Sequence, residues 1–318
     1  MGTFFKLCMG RSDEKVHTIN ICKFFKKSDC DFEMIRQWVA SANHAAISPS
    51  LYPAVDPVGA VMGWMLTVHI DCLRLLQKVN LTQYDLKVIT DAVNRFLSGI
   101  GLSVEDMQVS RIDYCVNAVV PERQRAVLLK VFQKALRQTF YVKRGQKYIQ
   151  SVYYKSKSKV VQIYDKTAEC RAKGRIPKWY EKDVLRFEVQ IKTNHLKYKR
   201  RRGVDRSWTA WINWDTRTHY LADALGHTIY EGDYYTLDRA YTRLKHCGIQ
   251  GVLLDQLRAF MRSISKGRHV EKVFETMSRN TAKRYCNILR RAGVSPIPIP
   301  RREKISYLQN PFCSLIGK

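Results

Sequence analysis

Acidic side chains are scarce. The 318 residues hold 28 Asp and Glu against 55 Lys and Arg, a formal charge of +27. A neutral surface is thereby excluded, because that much like charge repels itself unless a polyanion neutralises it. Lys and Arg release condensed counterions from phosphates, so nucleic acid is the implied partner. Paired cysteines are lacking as well. Nine are scattered along the chain without ligand-like or staple-like spacing, which excludes a zinc ribbon and a secreted disulfide framework. Reduced thiols in a cytoplasm are expected. No apolar run is long enough to cross a bilayer: the longest uncharged one, Val58 to Ile70, has 13 residues including His69, against roughly 20 needed. It reads as a buried strand, and no membrane partner is expected. Met1 to Lys6 has no basic stretch leading into an apolar core, so no signal peptide is expected.

What is present is enough apolar residue, 45%, to build a core. Val16 to Phe25 alternates like a strand, Phe32 to Ala42 suits a short helix begun at Asp31, and Pro49, Pro53 and Pro57 mark an irregular connector. In Met65 to Asp71, Leu66, Val68 and Ile70 face one way; Met65, Thr67, His69 and Asp71 face the other. Leu81 to Leu97 is a helix closed by Gly99 and Gly101. Val109 to Ala118 sets Ile112, Tyr114 and Val116 against Arg111, Asp113, Cys115 and Asn117. A helix follows over Pro121 to Phe140, then strands Tyr148 to Tyr154 and Val160 to Lys166 around a hairpin. Leu185 to Lys192 sets Leu185, Phe187, Val189 and Ile191 against Arg186, Glu188, Gln190 and Lys192. From Ser207 the chain reads as mostly helical. The class is α+β, an antiparallel or mixed sheet with helices on one face plus a mainly helical C-terminal domain. Three regions are expected: a poorly defined segment over 1–57, a core-strand domain over 58–200, and a helical DNA-binding region over 201–318.

Polar strand faces usually meet water. Here Asp113, Glu188, Tyr164 and His69 each stand opposite an apolar face, with Arg111, Arg186 and Lys166 as basic neighbours in register. If the strands pair, two carboxylates and a phenol converge. Carboxylates beside a polyanion have an electrostatic reason to exist if they hold a cation, and hard oxygen ligands favour Mg2+ or Mn2+. His69 joins Asp113 and Glu188 as a candidate ligand, although a lone strand histidine is often structural. A tyrosine beside such an ion is a plausible nucleophile toward a phosphate, with Lys166 stabilising phenolate character. On pattern alone Tyr153 and Tyr154 stay open beside Tyr164.

Three stretches carry a resemblance. Val109-Ser110-Arg111-Ile112-Asp113, the block Leu185-Arg186-Phe187-Glu188-Val189-Gln190-Ile191-Lys192-Thr193-Asn194-His195-Leu196-Lys197, and Met277-Ser278-Arg279-Asn280-Thr281 with Arg284-Tyr285 and Ala292-Gly293-Val294-Ser295 are similar to the replication initiation endonucleases of filamentous phages, the phage X family. Ile163-Tyr164-Asp165-Lys166 falls where that family places its nucleophilic Tyr followed by Lys, which favours Tyr164. More distantly, the order resembles plasmid rolling-circle initiators. The resemblance implies a single-strand nick at a phage origin, a 5′-phosphotyrosine link, a divalent metal, and resealing. Origin DNA, a host helicase and a host polymerase are the implied partners; self-association stays open. The family carries an acidic residue where this chain has His69, and the first 60 residues do not match its opening strand.

Two basic segments lie outside the nicking residues. Lys197, Lys199, Arg200, Arg201 and Arg202 follow the Glu188 strand, and with Arg111, Arg186 and Lys192 they are expected to clamp phosphates. Val270 to Met277, a break at Ser278, and Arg279 to Arg291 ended by Gly293 read as helix-turn-helix. Ser278 suits the N-cap, which leaves Arg279, Asn280, Thr281, Lys283 and Arg284 near the start of a recognition helix. Trp208, Trp211 and Trp214, spaced by three, suit a core stripe rather than a stacking platform. The competing class is a non-enzymatic DNA-binding regulator or origin-recognition protein. A tyrosine recombinase would need an Arg, His-x-x-Arg and late Tyr arrangement that the chain lacks.

Overall fold

A computed structural model describes residues 15–28, 32–135, 146–148, 151–267 and 270–313. Its strands are β1 (Lys15–Lys26), β2 (Ile47–Val55), β3 (Val61–Asp71), β4 (Gln108–Val119), β5 (Gln146–Tyr148), β6 (Ser151–Lys155), β7 (Lys159–Asp165), β8 (Val184–Ile191), β9 (Tyr234–Tyr235) and β10 (Tyr307–Leu308). Its helices are α1 (Phe32–Ser41), α2 (Cys72–Leu76), α3 (Asp85–Leu97), α4 (Glu122–Ala135), α5 (Lys166–Ala172) and α6 (Thr193–Arg200). Six more follow: α7 (Trp208–Trp211), α8 (Trp214–Thr228), α9 (Leu237–His246), α10 (Gly251–Lys266), α11 (Val270–Phe274) and α12 (Arg279–Arg291). The α+β class and the antiparallel pairing agree with the sequence pattern. No helix among the described residues is long and apolar enough to cross a membrane.

The chain divides into two compact units, and the division runs through β4, β7 and β8. The first holds residues 1–117, 157–160 and 188–220; the second holds 118–156, 161–187 and 221–318. Neither unit is continuous in sequence.

In the first unit the strand order is β2-β3-β1-β4 followed by the end of β8. Register explains the core. Ile19 lies opposite Ile70 and Ile112, and Ile21 opposite Val68, and all five side chains are buried. Each such side chain contributes about 1.5–3 kcal/mol by leaving water. On β4 the same apolar side also carries Tyr114, whose hydroxyl donates to the Trp211 carbonyl at 2.7 Å. Tyr220 stacks on both Tyr114 and Trp211, and His195 meets Trp211 and Tyr220 edge-on. Trp208 and Trp211 are core as expected, but the helical stripe breaks before Trp214, which opens α8 and is half-buried.

The N-terminal stretch is better structured than its sequence suggests, since β1, α1 and β2 lie within it. Pro49 and Pro53, read as a connector, sit inside β2, opposite Val68 and Trp64. An edge strand tolerates them because a proline lacks the N–H that an inner strand would need. The start of α1 at Asp31 and the end of the predicted helix beyond Ala135 lie outside the described residues.

In the second unit the start of β8 is followed by β7, β6 and β5. Fully buried Arg125 of α4 bonds Asp165 at 2.7 Å, Asp183 at 2.8 Å and the Val120 carbonyl. Its charge thus meets one buried carboxylate, Asp165, and one exposed carboxylate, Asp183. The first of the two helices expected at the C-terminal side, α11, stops at Phe274 rather than Met277; at the second, α12, the Ser278 hydroxyl accepts the Thr281 N–H at 3.1 Å, and Gly293 just beyond it takes a left-handed φ of +70°. Ala282 and Leu289 are buried, Tyr285 and Ile288 half-buried.

Candidate metal centre and nucleophile

The geometry begins with an irregularity in β1. Val16 pairs with Tyr114 and Thr18 with Asp113, so the register shifts by one residue at His17. Such a bulge sets two residues against one and re-aims a side chain. Strict alternation would put His17 on the apolar side with Ile19 and Ile21. The bulge instead lets its imidazole reach Glu188, Nδ1 to Oε2 at 3.0 Å.

Asp113 completes the group. One ring nitrogen of His17 and one carboxylate oxygen each from Asp113 and Glu188 lie within 4.8 Å of one another. Both acids are buried, at 1% and 2% exposure. Arg111, two residues back on the same strand face, forks onto Asp113 through Nε at 2.9 Å and Nη2 at 2.6 Å. Burial raises the Asp113 carboxyl to about 6; the Arg111 fork opposes that shift, and the Glu188 charge adds to it. Two carboxylates crowded this way repel each other, and a cation between them relieves the repulsion. One imidazole nitrogen and two carboxylates form a hard to intermediate donor set that suits Mn2+ or Mg2+.

His69 stands elsewhere on the face. It is exposed, lies opposite Asn20, and its Nδ1 meets the Asn20 Oδ1 at 2.8 Å. Burial holds its imidazole below the usual value, Asp71 opposes this, and Arg111 and His17 lower it further. The three-residue group among the described residues therefore contains His17 where the sequence suggested His69. The one hint in the sequence was a polar residue at a position that alternation assigns to the core.

In the second unit Tyr164 is half-buried on β7. Arg186 Nη1 donates to its hydroxyl at 3.4 Å, with the guanidinium 5.9 Å from the ring centroid. A donor placed there stabilises negative charge on the phenol oxygen. Lys166, expected one strand repeat beyond Tyr164, has another setting. The strand stops at Asp165, whose side chain caps α5 by accepting the Ala168 N–H at 3.1 Å, so Lys166 is the first helical residue. Its ammonium lies 2.8 Å from Glu169 and 3.6 Å from Glu181. Although burial pushes the Glu169 carboxyl up, bonds from Lys166 and Lys173 hold it at about 2. Arg186, read from the sequence as a basic neighbour on the polar face and as a phosphate clamp, places its guanidinium at the phenol where Lys166 was expected. Tyr154 is buried, which pushes its hydroxyl well above the usual range.

The remaining basic residues divide by exposure. Lys197, Lys199 and Arg200 lie on α6, with Arg201 and Arg202 in the turn beyond it; Arg202 covers the Tyr198 ring at 4.8 Å. Lys192 flanks that helix as its N-cap. On α12, Arg279, Asn280, Lys283 and Arg284 are exposed and Thr281 is half-buried. Asn280, Lys283, Arg284, Asn287 and Arg291 line one shallow concavity together with Ile288.

Residues 87–210, about two-fifths of the chain, match the family model described as the N-terminal part of replication-associated protein G2P. The matched span includes Asp113, Tyr164, Arg186 and Glu188, and leaves out β1 with His17 as well as α12. A search of curated proteins finds no match. That family implies a rolling-circle replication initiator acting on phage origin DNA. Over these residues, which hold the Arg-Phe-Glu block, the chain is similar to that replication-associated protein.

Proposed function

We propose that the protein nicks one strand of a phage replication origin and later rejoins it through a 5′-phosphotyrosine on Tyr164. The Tyr164 oxygen bonds to phosphorus and the bond from phosphorus to the 3′ oxygen breaks. That oxygen leaves as a hydroxyl, taking up a proton, while the phenol proton passes to solvent. Arg186, at 3.4 Å from the phenol oxygen, stabilises the charge that builds there. Bond energy is retained in the phosphotyrosine, so the reverse attack by a 3′ hydroxyl reseals the strand. The released hydroxyl is the primer end a host polymerase extends, with a host helicase opening the duplex ahead.

His17, Asp113 and Glu188 are the residues that would hold Mg2+ or Mn2+, which supplies Lewis-acid stabilisation of charge on the scissile phosphate. Arg111 fixes the Asp113 carboxylate in place through its fork. Exposed Lys197, Arg200, Arg201 and Arg202, with half-buried Lys199 and Lys192 beside them, would track the DNA backbone. The observation that carries the reading is the convergence of an imidazole and two buried carboxylates within 4.8 Å in a chain of charge +27. Acidic groups there hinder a polyanion unless a cation stands between.

Incubation with supercoiled origin DNA and Mg2+ or Mn2+ tests it. The unaltered chain should convert the DNA to the open circle, and Tyr164→Phe should not. Nicking by that variant at an undiminished rate would overturn the assignment. The exposed basic face of α12 favours a second reading, an origin-binding regulator. Full duplex binding with no nick under either metal would put that reading first.

A further inference from the structure

We infer that the polar face of the first unit's sheet carries a base-stacking platform for single-stranded DNA, built from Phe24 and Tyr52. The inference deepens the nicking reading and rests on it for the identity of the strand. Phe24 of β1 and Tyr52 of β2 both lie opposite Met65 of β3, so the three side chains form one row. The row is on the face that carries Thr18, Asn20 and Cys22, because alternate residues of a strand point to one side. Asp113 and Arg111 lie opposite Thr18 and Asn20. The platform and the carboxylate of the metal centre therefore share a surface.

Exposure is what distinguishes this row from core. Phe24 is 42% and Tyr52 56% exposed, although both occupy strands where an inward position would bury them. Gly63 shapes the site. A Cβ there would collide with the Phe25 carbonyl and come within 2.8 Å of the Phe24 ring, so glycine lets that ring lie against the sheet. Cations flank the row. Exposed Lys26 is next along the same face beyond Phe24. Arg206, half-buried, donates Nη2 to Cys22 Sγ at 3.7 Å and Nε to the Val109 carbonyl at 2.8 Å, and Cys22 precedes Phe24 on the same face. An aromatic row with positive charge beside it is what a single strand needs: faces for the bases and cations for the phosphates. A folded duplex could not offer its base faces to it.

The spacing sets a length. Thr18 to Phe24 spans six residues of strand, about 20 Å, or roughly six nucleotides at a stacked rise of about 3.4 Å. A strand held at the metal centre reaches the platform only if it extends that far.

The test is fluorescence anisotropy of labelled oligothymidine with the full chain in EDTA, where no cleavage competes. For an oligonucleotide of about twelve residues, Phe24→Ala and Tyr52→Ala should each weaken binding about tenfold, within the range for one stacked base. Phe24→Trp should restore it, while Phe24→Leu, which keeps the apolar contact and the fold, should not. Binding to duplex DNA should be unchanged. Wild-type affinity in the Phe24→Ala/Tyr52→Ala double variant would overturn the inference. So would unaltered affinity accompanied by a change from dimer to monomer in sedimentation, since the row would then be a self-association surface. If the unaltered chain shows this aromatic dependence and yet never nicks with Mg2+ or Mn2+, the nicking reading falls and the platform stands.

Discussion

His17 and Glu188, 171 positions apart in sequence, meet at 3.0 Å because a single extra residue in β1 turns the imidazole toward the acids. If that meeting is a metal centre, its loss shows in metal affinity before it shows in folding. His17→Ala should weaken Mn2+ binding by at least about tenfold, the lower end of what even outer-shell partners contribute. His69→Ala should leave it within a factor of about two. Titration calorimetry with Mn2+ on both variants checks this, and equal losses would contradict the ligand set.

The buried arginine of the second unit makes a stability prediction. Removing Arg125 leaves Asp165 without its interior partner and strips the Val120 carbonyl of a donor. Arg125→Ala should cost about 3–5 kcal/mol, the usual penalty for breaking a buried pair from one side. Denaturant unfolding measures it. A loss below about 1 kcal/mol, as exposed pairs give, would show that the network is dispensable.

Burial holds the His195 imidazole down at about 4, with Lys159 and Lys199 adding to the shift, while its Nε2 meets the Tyr220 hydroxyl at 2.7 Å. The unfolded chain binds this proton near pH 6.5, so the unfolded state takes up more protons between the two values. Stability from this residue is therefore full above about pH 6.5 and falls as pH drops toward 4. His195→Gln should flatten that part of the thermal-melting profile. An unchanged acid limb would mean that other groups set it.

Ser278 accepts the Thr281 N–H at the start of α12. Ser278→Ala should destabilise by about 1 kcal/mol. Substitution of Lys283 or Arg284, exposed on the same helix, should leave melting unchanged and weaken duplex binding. Equal effects of all three substitutions on duplex binding alone would remove the capping role.

Regular alternation made much of this readable. Leu66, Val68 and Ile70 are buried with Ile112 and Tyr114 as their spacing requires, and the acids of β4 and β8 occupy the faces assigned to them. The cap at Ser278 was equally legible, since capping is a local rule. Three features escaped because they break alternation. The bulge at His17 shifts one residue without any change in composition. Lys166 reads as a strand residue until Asp165 caps a helix, and the prolines of β2 read as a connector until the strand proves to be an edge.

The most direct measurement is the site of covalent attachment. Origin DNA labelled at the scissile phosphate is incubated with the protein and Mn2+, then digested with trypsin, and the labelled peptide is sequenced. The account predicts label on the peptide Val160 to Lys166, through Tyr164, and none when EDTA replaces the metal. Label on Tyr148 to Lys155, which carries Tyr153 and Tyr154, or label formed without any metal, would contradict it.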